Sequence, residues 1–253
     1  MKKSKLAGKL SRNHHMYLYG KNSILERLKA NPQSIRKIFL QDNFKDAEIE
    51  RAVKSVKIPV SRVSENELLR IKRADRLQGI VAEADKFQYT PFEKLLHLPE
   101  NERPTFIFLD SLNDPHNLGT IMRTAACFGG FAIVIPEHGS CEVNETVLHV
   151  SSGAENYVPV SLETNLTRAL MEAKKAGYWA AGTVVEGGED LNKVSLPFPL
   201  CLVLGSEGTG IRCGLQKHLD LKITLPMRGA QLSFNVAMAC AIFCHEIAKQ
   251  RGA

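Results

Sequence analysis

The sequence predicts an α/β protein with two domains, and three observations support this. Short apolar segments that favour strands alternate with segments that favour helices, a pattern typical of a mostly parallel sheet with helices on both faces. The chain has 253 residues, which is enough for one large or two small domains. Pro91, Pro99 and Pro104 interrupt the pattern, and because proline removes a backbone donor and favours extended geometry, they predict a linker with room for one short helix.

The predicted division is a flexible basic arm over 1–15, a small α/β domain over 16–86, the linker over 87–104 and a larger α/β domain over 105–253. In the small domain, an amphipathic helix over Lys21–Lys29 is stopped by Pro32, and Ser64 with Glu67 forms the pattern of a capping box that opens another helix. A second helix is predicted over Phe44–Val56. The predicted strands of this domain are Ile35–Leu40, Pro59–Val63 and Gly79–Ala84.

The larger domain contains six apolar segments without strict alternation, as expected of strands that are buried on both faces. These predicted strands are Thr105–Asp110, Phe131–Ile135, Tyr157–Val160, Tyr178–Gly182, Leu200–Gly205 and Leu221–Leu225. Helices are predicted between and after them, at Leu118–Phe128, Asn144–Val150, Asn165–Ala176, Ile211–His218 and Asn235–Arg251.

Charge is unevenly distributed along the chain. Residues 1–90 hold 20 Lys and Arg against 10 Asp and Glu, whereas the remainder is mildly acidic. A basic first third favours a polyanion as its partner, although small domains also vary in charge by chance. The six cysteines form no zinc-finger spacing, and we expect Cys240 and Cys244 to be packed thiols. We therefore expect no metal site. With no secretory signal and no apolar run of membrane-spanning length, we also expect a cytoplasmic protein.

Three segments of unusual composition follow predicted strands, where ligands bind in parallel α/β sheets. In the first, a polar turn leads through Asn117 into a helix that carries Arg123, whose guanidinium suits a phosphate or a carboxylate. Asn117 could instead be only a helix N-cap, and Arg123 could form only a surface salt bridge.

The second segment is a glycine-rich turn with glycines at 205, 208 and 210, which differs in spacing from both the dinucleotide fingerprint and the phosphate loop. Glu207 in this turn would repel a pyrophosphate but would tolerate a cationic ligand such as a sulfonium. The third segment is a polar loop that contains Ser233 and Asn235 before the last helix. A tight structural turn and a plain N-cap are the simpler alternatives for these two segments.

Together, in this order, the three segments resemble the three motifs of the SpoU/TrmH family of RNA ribose 2′-O-methyltransferases. The resemblance covers about residues 105–251. It rests on Asp114-Pro-His-Asn-Leu-Gly leading to Arg123, on Gly205-x-Glu-Gly-x-Gly-Ile and on Pro226-Met-x-Gly followed by Ser233-x-Asn235. The first domain is similar to the ribosomal-protein-like RNA-binding module that often precedes this catalytic domain. By layout, the chain is most similar to enzymes that methylate a guanosine ribose in large-subunit rRNA.

The resemblance implies a SPOUT fold with a deep trefoil knot, a homodimer whose active site draws on both subunits, and S-adenosyl-L-methionine as the cofactor. It places the catalytic roles on five residues: Asn117, Arg123, Glu207, Ser233 and Asn235. It places the cofactor contacts on Thr183, Leu204, Gly205, Gly210, Leu225 and Phe234. Relatives often have Leu where this chain has Phe234, which bears on the shape of the pocket.

Arg123 would bind the phosphate next to the reacting ribose and stabilise the developing oxyanion. It would not act as the base itself, because a guanidinium is essentially always protonated and cannot accept a further proton. The expected substrate is rRNA, and tRNA is the second candidate. Two further alternatives are an inactive RNA-binding relative and a dinucleotide-dependent oxidoreductase. The absent fingerprint speaks against the oxidoreductase.

Overall fold

The computed structural model describes residues 15–206, 208–230 and 232–252, and within them the chain forms two separate sheets. The first has four strands in the order β1-β4-β2-β3: β1 (His15–Tyr19), β2 (Ile35–Gln41), β3 (Val60–Val63) and β4 (Ile80–Asp85). The predicted basic arm lies outside the described residues except for His15, which is the first residue of β1. Strand β1 was not predicted.

Three helices accompany this sheet: α1 (Lys21–Ala30), α2 (Ala47–Ser55) and α3 (Glu65–Ile71). The helix predicted to start at Phe44 starts at Ala47, because the Asp46 side chain accepts hydrogen bonds from the backbone N–H groups of Glu48 and Ile49 and so caps the helix there. The capping box predicted at the start of α3 is present.

The second sheet has seven strands, and every pairing in it is parallel, as predicted. Its order is β7-β6-β5-β10-β8-β11-β9. Strand β7 begins three residues later than predicted, and the two-residue β9 was not predicted. The strands are β5 (Thr105–Leu109), β6 (Phe131–Pro136), β7 (Val160–Glu163), β8 (Trp179–Thr183), β9 (Glu189–Asp190), β10 (Leu200–Leu204) and β11 (Leu221–Thr224).

Both faces of this sheet are covered, which explains the continuous apolar composition of its central strands. In β5, Phe106 and Phe108 belong to one buried cluster, whereas Ile107 and Leu109 belong to the other. The first cluster includes residues of α4 (Phe92–Leu96), α7 (Leu166–Lys175) and α8 (Cys213–Gln216). The second includes residues of α5 (Pro115–Phe128), α6 (Glu145–Ser151) and α9 (Val236–Gln250).

The segment predicted as a linker forms the one short helix for which the sequence leaves room, and it packs against the second sheet. It contains α4, and the ring of Phe92 lies 4.9 Å from that of Phe106, centroid to centroid. Phe92, Leu95 and Leu96 are all buried. Burial of these apolar side chains stabilises the attachment of this segment to the second sheet.

The two sheets contact each other through α6 and the 3₁₀ turn Ala154–Asn156. The Nη2 atom of Arg27 on α1 lies 3.1 Å from Oε1 of Glu155, and the two side chains are only 7% and 0% exposed. In a second contact, Nδ1 of His149 on α6 lies 3.0 Å from the carbonyl oxygen of Tyr19 in β1, and the rings of His149 and Tyr19 stack with centroids 4.2 Å apart.

In the part of the chain that the structure describes, no helix combines the length and the apolar character that crossing a bilayer requires.

Candidate active site

A cleft of about 230 Å³ lies where β8, β10 and β11 end, and exposed Ser233 and Phe234 stand at its edge. The other walls come from the loops after these strands and from α9, which contributes Ala239 and Phe243. All six residues predicted as cofactor contacts line this one cleft: Thr183, Leu204, Gly205, Gly210, Leu225 and Phe234.

The turn after β10 requires glycine at position 205. A Cβ atom on Gly205 would lie 2.1 Å from the carbonyl carbon of Gly210 and 2.3 Å from the backbone nitrogen of Ile211. The turn folds back on itself because the N–H of Gly210 donates to the carbonyl oxygen of Ser206 at 2.9 Å, and Gly210 has a left-handed φ of 65°. The glycines therefore bring backbone, rather than side chain, to the wall of the cleft.

A buried carboxylate anchors this turn to the neighbouring strand. Asp110, which directly follows β5 and is fully buried, accepts from the backbone N–H of Arg212 at 2.7 Å and from its Nε at 2.6 Å. Sequence reasoning placed Asp110 at a strand end but gave it no role. An acidic residue that closes an apolar strand was the available signal, because a buried carboxylate needs partners.

Two of the predicted catalytic residues are in direct contact. Nδ2 of Asn235 donates to Oδ1 of Asn117 at 3.0 Å, which joins the start of α5 to the start of α9. The alternative that Asn117 caps its helix is wrong, because the cap is Asp114, which accepts from the N–H of His116. Asn235 does cap α9, through bonds from the N–H groups of Ala237 and Met238, and it also makes the contact with Asn117.

Arg123 is exposed on α5 and is not among the residues that line the cleft. A helix turns about 100° and rises about 1.5 Å per residue, so Arg123 lies about 120° around the axis from Asn117 and about 9 Å further along. Arg123 forms no ion pair with any described residue. Ser233 lines the cleft, and Glu207 lies outside the described residues.

The described residues include no group of three or more His, Cys, Asp or Glu side chains placed to hold a metal ion. Cys240 and Cys244 are buried on α9, with their Sγ atoms 3.8 Å apart. The hydrogen bond with Cys244, together with burial, raises the pKa of the Cys240 thiol. This thiol is therefore neutral and packs behind the wall of the cleft.

Comparison with protein families matches both halves of the chain. Residues 104–245 match the SpoU rRNA methylase family, and residues 17–90 match the substrate-binding domain of RNA 2′-O ribose methyltransferases. The chain belongs to the SpoU methylase family. The SpoU family resemblance that the three sequence segments predicted is thus confirmed.

Relatives of known name match over nearly the full length. The 23S rRNA (guanosine-2′-O-)-methyltransferase RlmB of Nitrosomonas europaea is 34% identical over 94% of this chain and 92% of its own. A Bacillus subtilis protein named as a TrmH family tRNA/rRNA methyltransferase is 35% identical over 94% of this chain and 96% of its own. The crystal structure of the SpoU methyltransferase AviRb from Streptomyces viridochromogenes, in complex with AdoMet, superposes with a TM-score of 0.79 at 19% identity. It covers 97% of this chain and 94% of that one, and so shares the fold.

As a SpoU methyltransferase, the protein uses S-adenosylmethionine, and the cleft fits this cofactor. None of the described residues that line it carries a charge, so a sulfonium meets no cationic side chain there. Leu204, Ile211, Leu225 and Phe243 offer apolar surface to an adenine ring, and the glycine turn presents backbone groups.

Proposed function

We propose that the protein transfers the methyl group of S-adenosylmethionine to the 2′-hydroxyl of a guanosine ribose in 23S rRNA, in the cytoplasm. The observation that carries this proposal is that one cleft, with no charged side chain among the described residues that line it, collects all six predicted cofactor contacts, while Asn235, the residue after Phe234, is bonded to Asn117. Methyl transfer from a sulfonium is an in-line displacement. The main requirement is therefore that the protein holds the 2′-oxygen in line with the methyl group and the sulfur.

The choice of rRNA rests on the match of residues 17–90 to a substrate-binding domain and on the name of the Nitrosomonas europaea relative. A tRNA substrate is the second candidate, because the name of the Bacillus subtilis relative includes both RNA classes. The basic composition of residues 1–90 suits either polyanion.

In the proposed mechanism, bound S-adenosylmethionine supplies an activated methyl group, and the protein orients the ribose. Arg123 binds the phosphate adjacent to the target and stabilises negative charge that develops on the 2′-oxygen. A phosphate oxygen accepts the proton, because the guanidinium itself stays protonated. Asn117, Asn235 and Ser233 orient the reacting groups at the edge of the cleft, and Glu207 fixes the glycine turn or Arg123.

The direct test is incubation of the protein with methyl-labelled S-adenosylmethionine and either unmodified 23S rRNA or total tRNA. We expect label in 23S rRNA at a guanosine 2′-oxygen, located by mapping of the nuclease-resistant linkage. The variant Arg123→Ala should transfer no measurable label while binding the cofactor in calorimetry as the wild type does. Label in tRNA alone would support the second candidate, and full turnover by the variant would remove Arg123 from the mechanism.

We also propose that the protein acts as a homodimer in which Arg123 serves the partner's cleft. Arg123 stands on a different face of α5 from Asn117, and several apolar side chains on or next to α5 and α9 are exposed. Leu232 is 71% exposed and Met238 is 65% exposed, and Ile242 and Phe128 are exposed as well. Exposed apolar surface of this kind marks an interaction site.

Mixing two inactive variants tests this arrangement. Arg123→Ala lacks the guanidinium and Gly205→Ala lacks a correctly shaped cleft, so a mixed dimer retains one intact site only if Arg123 acts across the interface. At an S-adenosylmethionine concentration too low to load the Gly205→Ala cleft, we expect activity to return when the two variants are unfolded and refolded together, and each to stay inactive when refolded alone. A mixture that stays inactive although light scattering shows dimers would place Arg123 at its own subunit's cleft.

We propose that the loops that form the cleft are threaded as a trefoil knot. Support comes from the fold shared with AviRb and from the strand order, in which β10 and β11 lie on either side of β8.

A further inference from the structure

A second cleft, the interdomain cleft, lies between the two sheets and has a volume of about 740 Å³. One side is formed by the turn after β1 and the loop before β4, and the other by α6 and the start of α5. The lining of the cleft includes the polar or aromatic side chains of Tyr19, Arg76, Gln78, His116 and His149. The motif that contains Asn117 also contains His116, to which the proposed mechanism gives no role.

Two consecutive residues of α5 relate the two clefts to each other. His116 lines the interdomain cleft, whereas Asn117 is bonded to Asn235, the residue after Phe234 in the wall of the cofactor cleft. The Asn117–Asn235 pair is therefore one residue along α5 from the lining of the interdomain cleft.

The side chains of His149 and Gln78 in the interdomain cleft are each held by one hydrogen bond, and each has a second polar atom that is not hydrogen-bonded to a described residue. A carbonyl oxygen can only accept, so Nδ1 of His149 carries the proton that it donates to the oxygen of Tyr19, and Nε2 is an acceptor in the neutral ring. Oε1 of Gln78 accepts from the backbone N–H of Lys21 at 2.7 Å, which leaves its amide NH₂ as a donor. Neither Nε2 of His149 nor Nε2 of Gln78 has a partner among the described residues.

The loop before β4 carries backbone strain at this cleft. Arg76 and Gln78 have φ angles of 63° and 57°, in the left-handed region that non-glycine residues rarely adopt. Such residues concentrate at binding sites, where the strain holds a side chain in a working position. The exposed guanidinium of Arg76 forms no ion pair with any residue that the structure describes, although the Asp75 carboxylate also lines the cleft.

We propose that the interdomain cleft binds one unstacked nucleotide of the RNA substrate next to the nucleotide that is methylated. The amide of Gln78 donates to its base edge and the His149 ring accepts from it, while Arg76 pairs with its phosphate. A fixed donor beside a fixed acceptor is how proteins read single-stranded bases, and arginine is suited to phosphate. This proposal rests on the proposed function, since the ligand is a part of the same RNA.

Two variants test the site without disturbing the contact between the sheets. Arg76→Gly removes the guanidinium and relieves the left-handed φ. Gln78→Glu keeps an oxygen acceptor for the Lys21 N–H but replaces the donor by a negative charge. The matched control is Arg168→Ala, because Arg168 is 80% exposed on α7, and α7 contributes no residue to either cleft.

The measurements are methylation kinetics with unmodified 23S rRNA and the salt dependence of RNA binding. We expect each cleft variant to raise the KM for rRNA about tenfold at unchanged kcat, because Arg76→Gly removes a hydrogen bond to a charged phosphate and Gln78→Glu replaces a donor to the base edge by a negative charge. For Arg76→Gly, the slope of log K against log salt should become shallower by about 0.7, the value for one phosphate contact on a single strand. The control should match the wild type in both measurements.

The outcomes separate this proposal from the proposed function. If the wild type transfers no methyl group to RNA, the proposed function fails. If the wild type is active and both cleft variants keep its KM and its salt slope, the interdomain cleft is only a gap between domains and the inference is overturned. A fall in kcat or in cofactor affinity at unchanged KM would also contradict it, because this would indicate a structural effect.

Discussion

At the scale of single residues, backbone approach shapes the cofactor cleft more than side-chain chemistry does. The carbonyl carbon of Gly210 lies 2.1 Å from where a Cβ of Gly205 would be, far inside van der Waals contact. Because the obstacle is backbone of the same turn, it cannot rotate away as the end of a side chain can. The shape of the turn therefore depends on the missing Cβ.

This predicts a specific effect of Gly205→Ala. The added methyl must push the chain at Gly210 and Ile211 out of position, so we expect the affinity for S-adenosylmethionine to fall at least tenfold, or about 1.4 kcal/mol. Titration calorimetry measures it. The matched control is Gly214→Ala, where the nearest atom to a Cβ lies at an ordinary 3.5 Å. Equal affinity in the two variants would show that the turn is adaptable.

Sequence reasoning identified residue types at this scale better than it identified partners. It singled out Asn117 and Asn235 but did not predict their bond, because that contact joins residues 118 positions apart. Asp110 was overlooked for the same reason, since its partner Arg212 comes from a distant loop. The assignments of the six cofactor contacts and of the catalytic residues stay predictions, which cofactor binding and methyl transfer by variants at these positions will test.

At the scale of elements, the 3₁₀ turn Ala154–Asn156 holds the first sheet through its central residue. Glu155 is buried beside Arg27, and its oxygens also accept from Ser151 and Asn156. Taking both charges out of water costs free energy, and the geometry of the pair compensates for this only while both partners are present.

Removal of one partner should therefore be costly. We expect Glu155→Ala to lower the free energy of unfolding by about 3–5 kcal/mol, because the Arg27 charge is left buried without a carboxylate. Urea denaturation measures this. The control is Glu172→Ala, which removes the carboxylate of an exposed pair with Arg168 and should leave the midpoint unchanged. Similar midpoints for both variants would mean that water reaches Arg27 in the folded protein.

The first residues of α2 and α5 are set by side-chain caps. The sequence contains several possible capping residues near the start of each helix but does not show which of them caps it. Asp46 and Asp114 start α2 and α5 at positions that the apolar pattern alone placed three residues too early and three too late. Strand β9 has only two residues, and no pattern can arise over that length. The central strands were predicted well because burial on both faces makes them continuously apolar.

At the scale of the whole molecule, surface contacts as well as the buried pair join the two sheets. The hydroxyl of Tyr157 donates to Oε2 of Glu26 on α1 at 2.6 Å. The hydrogen bond from Tyr157, aided by Lys29, holds the pKa of Glu26 below its usual value. A lowered folded-state pKa means that the ionised carboxylate stabilises the folded state above its unfolded pKa, and that this contribution disappears as the pH falls through the lowered value.

The corresponding prediction concerns Tyr157→Phe. We expect the variant to melt at a lower temperature than the wild type at pH 7, and the difference to shrink as the pH falls below the ordinary glutamate value of about 4.3. Thermal denaturation of both proteins from pH 7 to pH 3 measures it. A difference that stays constant over this range would mean that the Glu26 charge takes no part in the contact.

The sequence predicted a parallel sheet but did not specify its strand order. Periodicity identifies strands, whereas the order depends on long-range pairing, and β10 lies between β5 and β8 although about 90 residues separate it from β5.

That position has a consequence for biosynthesis. Until residues 200–204 leave the ribosome, β5 has an unpaired edge and β8 has no partner strand, because both neighbours of β8, β10 and β11, come later in the chain. Of the strands of this sheet, only β5, β6 and β7 can pair before then. Strand β10 must therefore insert between β5 and β8 late in synthesis. The glycine turn and α9 can take their places only after this insertion. A nascent chain should thus gain its cofactor-binding ability near the end of translation, all at once.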